Sequence, residues 1–444
     1  MEEHFHHNKK LTSFQIIILG FAAVILIGAL LLMLPASSRE GVRTSFLDAL
    51  FTSTSAVCVT GLVVHDTATY WSGLGQLIIM LLIQIGGMGV ITVAVALAII
   101  SGRKISLMQR STMQEAIAAP KVGGVVRLTG FIIRTTIVIE LLGAVIMAPV
   151  FCRDFGVRGI WMALFHSVSA FCNAGFDLLG TREAYSSLTS YSGDIKINVT
   201  VMLLIIIGGI GFLTWDDIRT NRWHLHKYRM QSKVILSCTL FLLLIPAVYF
   251  YFFEFAGLPL RERILQALFQ SVTPRTAGFN TADLTKMSEA SQFIIITLML
   301  VGGSPGSTAG GMKTTTVAVL FSAAKSVFCR KEHAHFFGRR IGDDVVKNAA
   351  TIFLMYITLF LSGAVVISII EDLPMVTCLF ETASAIGTVG LTLGITPTLG
   401  TVSRLILIGL MFFGRVGGLT LIFAAVSGRQ PKISRLPLEK ITVG

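Results

Sequence analysis

The stretch Leu379-Phe380-Glu381-Thr382-Ala383-Ser384-Ala385-Ile386-Gly387-Thr388-Val389-Gly390-Leu391 decides the fold, because the chain contains four versions of it. Leu50-Phe51 leads to Thr60-Gly61-Leu62, Leu164-Phe165 to Ala174-Gly175-Phe176, and Leu268-Phe269 to Ala277-Gly278-Phe279. The Phe stands ten residues before the Gly in the first, second and fourth versions and nine before it in the third. Gly-to-Gly separations of 114, 103 and 112 residues describe a long internal repeat. Such periodicity indicates four copies of one structural unit.

Composition says where the units sit. Of 444 residues, 53% are hydrophobic and 14% charged, against about 25% charged in a soluble domain. With a mean hydropathy of +0.77, the chain reads as an integral membrane protein. Its six cysteines show no CxxC or Cys/His spacing and read as free thiols. The first apolar run, 14–34, is too long for a signal-peptide core and reads as a retained helix.

Each unit reads as a span, a short half-helix, a glycine turn and a second span. A crossing needs roughly 20 apolar residues. First spans are expected near 14–34, 129–150, 234–254 and 349–370, and second spans near 75–100, 197–215, 291–325 and 402–426. The segments 44–57, 159–172, 261–274 and 374–387 are too short to cross. The expected fold is therefore an all-α membrane protein. Eight transmembrane helices would lie in four span–pore-loop–span repeats around a pseudo-fourfold pore. The divisions are a tail at 1–13, repeats at 14–100, 101–215, 216–325 and 326–426, and a tail at 427–444. The termini and the connectors on their side hold 22 Lys and Arg, and the opposite segments hold 9. This bias places both termini in the cytoplasm and has the half-helices enter from outside. The net charge of +12 is then mostly a topology signal, and no nucleic-acid partner is expected.

Backbone at membrane depth leaves helical pairing only where it lines water or is buried in protein. Four glycine turns meeting on one axis would offer carbonyls in place of a cation's hydration shell. Glycine takes the positive φ that aims a carbonyl inward, and half-helix C-termini add negative potential. Thr388-Val389-Gly390 matches the start of the potassium-channel filter Thr-Val-Gly. The expected ion-binding residues are Val59, Thr60, Gly61, Asn173, Ala174, Gly175, Thr276, Ala277, Gly278, Thr388, Val389 and Gly390.

The third unit's last span is interrupted by Gly302-Gly303-Ser304-Pro305-Gly306-Ser307-Thr308-Ala309-Gly310-Gly311. Five glycines and a proline do not continue a helix, and a loop here is placed to plug the pore. Lys313 follows it, and Arg415 lies inside the last span. An intramembrane cation normally faces a cavity or a partner, and partway down a pore-lining helix Arg415 would repel a passing cation. Lys313 either shares that role or snorkels to the inner surface. The glycine pairs Gly86-Gly87, Gly208-Gly209 and Gly417-Gly418 read as packing sites against the pore loops. Asp66 and Asp177 either draw cations to the outer mouth or are solvated loop carboxylates. Arg275 is expected to pin its loop through a carboxylate, and Glu140 and Glu381 are candidate partners for buried cations. His4, His6 and His7 read as a polar tail, not a metal site.

These units resemble the Trk/Ktr/HKT superfamily of potassium transporters, most closely its Ktr membrane subunits. The resemblance rests on Thr60-Gly61-Leu62, Asn173-Ala174-Gly175-Phe176, Thr273-Pro274-Arg275-Thr276-Ala277-Gly278-Phe279 and Thr388-Val389-Gly390-Leu391, and it covers nearly the whole chain. It implies potassium uptake across the cell membrane, either passive or with sodium as a co-ion or activator, and four filter glycines go with potassium permeation. It implies that 302–311 is an intramembrane gate and that Arg415 belongs to the barrier. It also implies a homodimer within membrane lipid and a separate KtrA-like cytoplasmic ring binding ATP or ADP. The Gly-Tyr-Gly of true potassium channels is absent, so looser selectivity is expected. No organic cofactor and no catalytic constellation is expected in this chain. The alternatives are a secondary transporter with alternating access, which predicts inverted or twofold repeats, and a non-transporting scaffold, which leaves four polar glycine turns unexplained.

Overall fold

The computed structural model describes residues 12–101, 106–117, 123–418, 420, 421 and 424. The histidine-bearing tail and the tail 427–444 lie outside the described residues. The first unit runs through α1 (Ser13–Leu32), the half-helix α2 (Phe46–Val57), α3 (Gly73–Met88) and α4 (Val90–Ile100). The connector helix α5 (Leu107–Ala116) leads to α6 (Val125–Phe155), the half-helix α7 (Arg158–Phe171), α8 (Ile195–Gly209) and α9 (Phe212–Asn221). The third unit comprises α10 (Met230–Tyr249), the half-helix α11 (Leu260–Val272), α12 (Glu289–Leu300) and α13 (Thr314–Phe328). The fourth comprises α14 (Asp343–Glu371), the half-helix α15 (Met375–Gly387) and α16 (Thr401–Val416). All four half-helices fall where the sequence puts them.

Local chemistry sets the boundaries. Ser45, Ser72, Asp194 and Ser288 each accept a hydrogen bond from the backbone N–H three residues on, which starts α2, α3, α8 and α12. Pro259 and Pro374 directly precede α11 and α15, where a missing N–H costs nothing.

Four helical segments are long and apolar enough to cross a membrane, Ser13–Leu32, Val125–Phe155, Met230–Glu254 and Asp343–Glu371, or six if each bent pair is one span. The bent pairs correct the expected straight spans. Residues 75–100 and 197–215 are not continuous helices: each turns by 95°, at Gly89 and at Gly211. Gly89, Gly211 and Gly417 adopt φ of 86°, 92° and 91°, a region L side chains avoid. The break in the third unit is therefore not unique, although among the described residues only there does a thirteen-residue segment, 301–313, separate the two helices.

Three residues before each of these hinges stands a glycine packed on a half-helix. A Cβ on Gly86 would lie 2.0 Å from Val57 O, one on Gly208 2.1 Å from Phe171 O, and one on Gly414 2.1 Å from Ile386 O. Those carbonyls all belong to the residue four before a turn glycine. The packing glycine of the fourth unit is thus Gly414, not the pair Gly417-Gly418, because helix packing is decided one turn before the hinge. Gly86→Ala is expected to lower the folded, monodisperse yield and the melting temperature in detergent. The Gly409→Ala control should leave both unchanged, since a Cβ there meets nothing within 4 Å.

Half-helices also dock onto their first spans by hydroxyls. Ser53 Oγ donates to Ile25 O at 2.7 Å and Ser167 Oγ to Glu140 O at 2.6 Å. Gly28 and Gly143, three residues beyond those carbonyls, leave room for the two serines. The fourth unit is tied to the first by Arg404, whose Nη1 donates to Asp48 Oδ1 at 2.6 Å with both side chains 17% exposed.

Candidate functional site

Each half-helix ends just before its turn glycine, and the backbone that follows has the same form four times. Val59, Asn173, Thr276 and Thr388, two residues before the glycines, have φ of 52°, 59°, 67° and 51°. The glycines Gly61, Gly175, Gly278 and Gly390 have φ of 94°, 68°, 79° and 94°. The residue between them is not among the positive-φ residues, so backbone handedness alternates along the turn. Alternation brings successive carbonyls toward one side, where an ordinary extended strand would alternate them.

Hydrogen bonds wrap each turn back onto its helix. Thr60 N, Ala174 N and Val389 N donate to Ser55 O, Ser169 O and Ser384 O, each at 2.8 Å and five residues back. In the third unit Ala277 N donates to Thr273 O at 3.0 Å, four residues back. That shorter wrap accounts for the Leu-Phe lying one residue nearer to Gly278. Ser55 Oγ and Ser384 Oγ accept from Gly61 N and Gly390 N, both at 3.0 Å. These two N–H groups are thereby occupied away from the turns' carbonyl side.

The four turns meet. A Cβ on Gly61 would come within 2.5 Å of Ala174 O, on Gly175 within 2.8 Å of Ala277 O, on Gly278 within 2.5 Å of Val389 O, and on Gly390 within 2.1 Å of Thr60 O. Every glycine thus faces the carbonyl before the next unit's glycine, and the fourth closes on the first. This is a cyclic arrangement of four like units, not a twofold one. All twelve residues expected to bind ions are buried in it. Thr60 Oγ1 and Thr388 Oγ1 have no hydrogen-bond partner among the described residues.

The segment 302–313 lies directly against this ring. A Cβ on Gly310 would fall 2.2 Å from Thr388 Oγ1, and one on Gly311 2.7 Å from Gly387 O. Thr308 Oγ1 stands 3.0 Å from Phe171 O and 3.1 Å from Asn173 Oδ1, while Asn173 Nδ2 donates to Arg275 O at 3.3 Å. Asn173 therefore links two turns to the loop. The backbone holds the loop as well: Ser304 N donates to Gly209 O at 3.1 Å, Thr308 N to Gly208 O at 3.2 Å, Phe212 N to Gly306 O at 2.7 Å and Gly311 N to Gly414 O at 3.1 Å. The hinge at Gly211 exposes the carbonyls that receive two of these bonds.

Arg415 reaches across three units. Its Nη1 donates to Thr308 O, and its Nη2 to Gly86 O and, at 3.0 Å, to Gly87 O. Lys313 does not snorkel away: its Nζ donates to Ala309 O at 2.9 Å. Both cations line a cavity of about 150 Å³ together with Met88, Ile117 and the loop residues Gly306, Ser307 and Ala309, and none of the twelve ring residues lines it. Arg415→Gln is expected to raise ion flux severalfold without altering folded yield, read by flux into vesicles and by size-exclusion chromatography. Unchanged flux would mean that Arg415 only packs.

Several sequence expectations fail here. Arg275 is 6% exposed but has no carboxylate within 4 Å among the described residues. Among the described residues Glu381 partners no cation: Thr392 Oγ1 donates to it at 2.8 Å and Thr396 Oγ1 donates to its other oxygen. Glu140 accepts instead from Gln84 Nε2 at 3.3 Å. Asp66 does not sit free at a mouth. Ala68 N, Thr69 N and Thr69 Oγ1 donate to one oxygen, and Tyr185 N to the other at 3.1 Å, so it pins two outer loops together. Asp177 accepts from Leu179 N at 2.9 Å and is half-buried. Sequence reasoning missed His166, whose Nδ1 lies 2.7 Å from Met162 O and whose Nε2 accepts from Leu178 N at 3.3 Å just beyond the second turn.

Comparison with known proteins agrees with this architecture. The profile of the TrkH family, described as cation transport protein, matches residues 2–436. The chain is similar to the potassium/sodium uptake protein NtpJ of Enterococcus hirae, with 41% identity covering 98% of each chain. It is 38% identical to the Ktr system potassium uptake protein B of Bacillus subtilis, covering 98% of this chain and 97% of that one. The crystal structure of the potassium transporter TrkH from Vibrio parahaemolyticus has the same fold, with a TM-score of 0.73 at 20% identity over 96% of this chain and 87% of that one. A multi-pass membrane protein with four converging glycine turns, the chain belongs to the TrkH family of cation transport proteins.

Proposed function

We propose that this protein takes up potassium through the ring formed by Gly61, Gly175, Gly278 and Gly390, and that residues 302–311 with Lys313 and Arg415 gate it. The carrying observation is the cyclic contact of each glycine with the preceding carbonyl of the next unit. A selectivity filter needs carbonyls from several segments converging on one axis, and the alternating handedness supplies them. Half-helices α2, α7, α11 and α15 all end beside the ring, adding negative potential from four C-termini. The unpartnered hydroxyls of Thr60 and Thr388 are further donors to an ion or its water. The uptake functions in the names of NtpJ and of the Bacillus subtilis relative support potassium as cargo, and the first of those names supports a part for sodium.

On this reading the bent pairs count as crossings and each unit contributes two, giving eight around a pseudo-fourfold axis with both termini cytoplasmic. The basic connectors are then the docking face for a nucleotide-binding (ATP or ADP) regulatory ring, and the chain works as a homodimer. The steep inward drive is the membrane potential, about 2.3 kcal/mol per charge per 100 mV. Alternating access is disfavoured because the four units share one topology and close on each other in cyclic order. Flux into proteoliposomes with potassium and sodium varied independently tests the reading. Potassium flux is expected to exceed sodium flux, with any sodium requirement appearing as activation. Equal flux of both ions would contradict it.

A further inference from the structure

Between α10 and α13 lies a recess of about 500 Å³, within the range of about 300–1,000 Å³ typical of small-molecule sites. It is distinct from the cavity lined by Lys313 and Arg415. Phe241 and Phe321 form its outer walls and are 66% and 79% exposed. Its lining runs from Val301 and Thr314, which flank the loop 302–313 and of which Thr314 is 1% exposed, to Lys325 and Lys331. Both lysines are exposed, and neither has a carboxylate within 4 Å among the described residues.

We infer that this recess binds the acyl chain of an anionic phospholipid, with its headgroup on Lys325 and Lys331, and that the bound lipid holds the 302–313 loop in the ring. Dimensions support the occupant. Thr314 and Lys325 are eleven residues apart on one helix, about 16 Å at 1.5 Å per residue. Half of a hydrocarbon core about 30 Å thick is about 15 Å. A lipid whose headgroup meets the lysines therefore ends its chain at the loop's flanks. Charge supports it too, since juxtamembrane lysines attract anionic headgroups. A second copy packed isologously on the same groove would instead bring these lysines against their own copies.

The coupling follows from connectivity. Thr314 N donates to Gly303 O at 3.0 Å, and Ser304 Oγ lies 3.4 Å from Thr314 Oγ1. The Thr314 end of the recess is thus bonded to the loop, and moving the loop out must reshape that end. A ligand with differential affinity for the two shapes shifts their balance. The coupling rests on the gate reading above; the binding does not.

The test uses the full-length protein in vesicles. The F321W variant, with signal from the parent's four tryptophans subtracted, reports occupancy through quenching by brominated lipids. Brominated phosphatidylglycerol is expected to quench the added indole at about tenfold lower mole fraction than brominated phosphatidylcholine. The K325Q/K331Q pair should erase that difference. Equal quenching by both lipids, no quenching by either, or an unchanged preference in K325Q/K331Q would overturn the site. Displacement by inorganic phosphate would overturn the lipid as occupant. Raising phosphatidylglycerol should lower potassium flux severalfold in the parent protein but not in K325Q/K331Q. A chain lacking residues 304–309 should conduct regardless of lipid. Intact binding with lipid-independent flux in the parent overturns the coupling alone.

Discussion

Replacing Gly390 by serine is expected to reduce discrimination of potassium over sodium by about ten- to a hundredfold while leaving the protein folded. Gly390 adopts φ +94°, which an L side chain reaches only under strain, and its added Cβ would stand 2.1 Å from Thr60 O. Strained backbone of this kind costs on the order of 1–3 kcal/mol, and 1.4 kcal/mol is tenfold in an equilibrium. The strain is relieved by moving the Thr60 carbonyl, which is one of the four that face the ring. Gly61, Gly175 and Gly278 share the geometry, so serine at each should act in the same direction. The check is competitive uptake of potassium and sodium in a potassium-starved strain. Unchanged discrimination in Gly390→Ser, with normal protein in the membrane, would remove the ring from the permeation path.

Deleting residues 304–309 is expected to produce the largest gain of flux. Gly303 N and Gly310 O are already 3.2 Å apart, so the ends can be rejoined with small shifts. The excised piece carries Ser304, Gly306 and Thr308, which supply the loop's bonds to Gly209, Phe212, Gly208, Phe171 and Arg415. Each hydrogen bond contributes about 0.5–1.5 kcal/mol net, so losing several removes most of what seats the loop. Flux should rise by an order of magnitude or more and stop responding to any nucleotide-dependent regulator. A deletion that folds and shows the parent's flux would reduce 302–311 to a structural connector.

Much of this architecture was legible in the chain because it repeats. The half-helices were found within two residues at each end, since a Leu-Phe, a hydroxyl-rich run and a turn glycine recur together. First spans were legible from hydropathy alone. Second spans were not, because hydropathy does not register a bend: Val90–Ile100 is as apolar as the helix before it, yet turns away at Gly89. The signal was nevertheless present as spacing. Gly86/Gly89, Gly208/Gly211 and Gly414/Gly417 are the same Gly-x-x-Gly, and Arg415 occupies the position of Gly87 and Gly209 within it. Polar partners were the least legible. Glu140, Glu381 and Arg275 invite salt bridges on paper, but the fold satisfies the two acids with an amide and hydroxyls, and backbone N–H groups hold Asp66, which the sequence presents as a mouth or solvated carboxylate. Gln84 lies 56 residues from Glu140 and Tyr185 lies 119 from Asp66, so no local pattern announces these two partners.

The same spacing gives the second-span hinges a mechanical reading. Three of them place a positive-φ glycine one turn beyond the contact with a half-helix, so the chain turns only after the half-helix C-terminus is clamped. The loop of the third unit then docks on the exposed backbone of two of these hinges, through Gly208, Gly209 and Phe212 on one side and Gly414 on the other. Arg415 joins that loop to the first hinge. Ring, hinges and the 302–313 loop thereby form one connected set of contacts.

The central claim is that cations occupy the axis between Thr60, Ala174, Ala277 and Val389. Crystals of the protein grown in rubidium, with anomalous diffraction recorded at the rubidium edge, test it most directly. The account predicts an anomalous peak on the pseudo-fourfold axis within coordination distance of those four carbonyls, lost when sodium replaces rubidium. Well-ordered turns with no peak on that axis, or a peak only outside the ring, would contradict it.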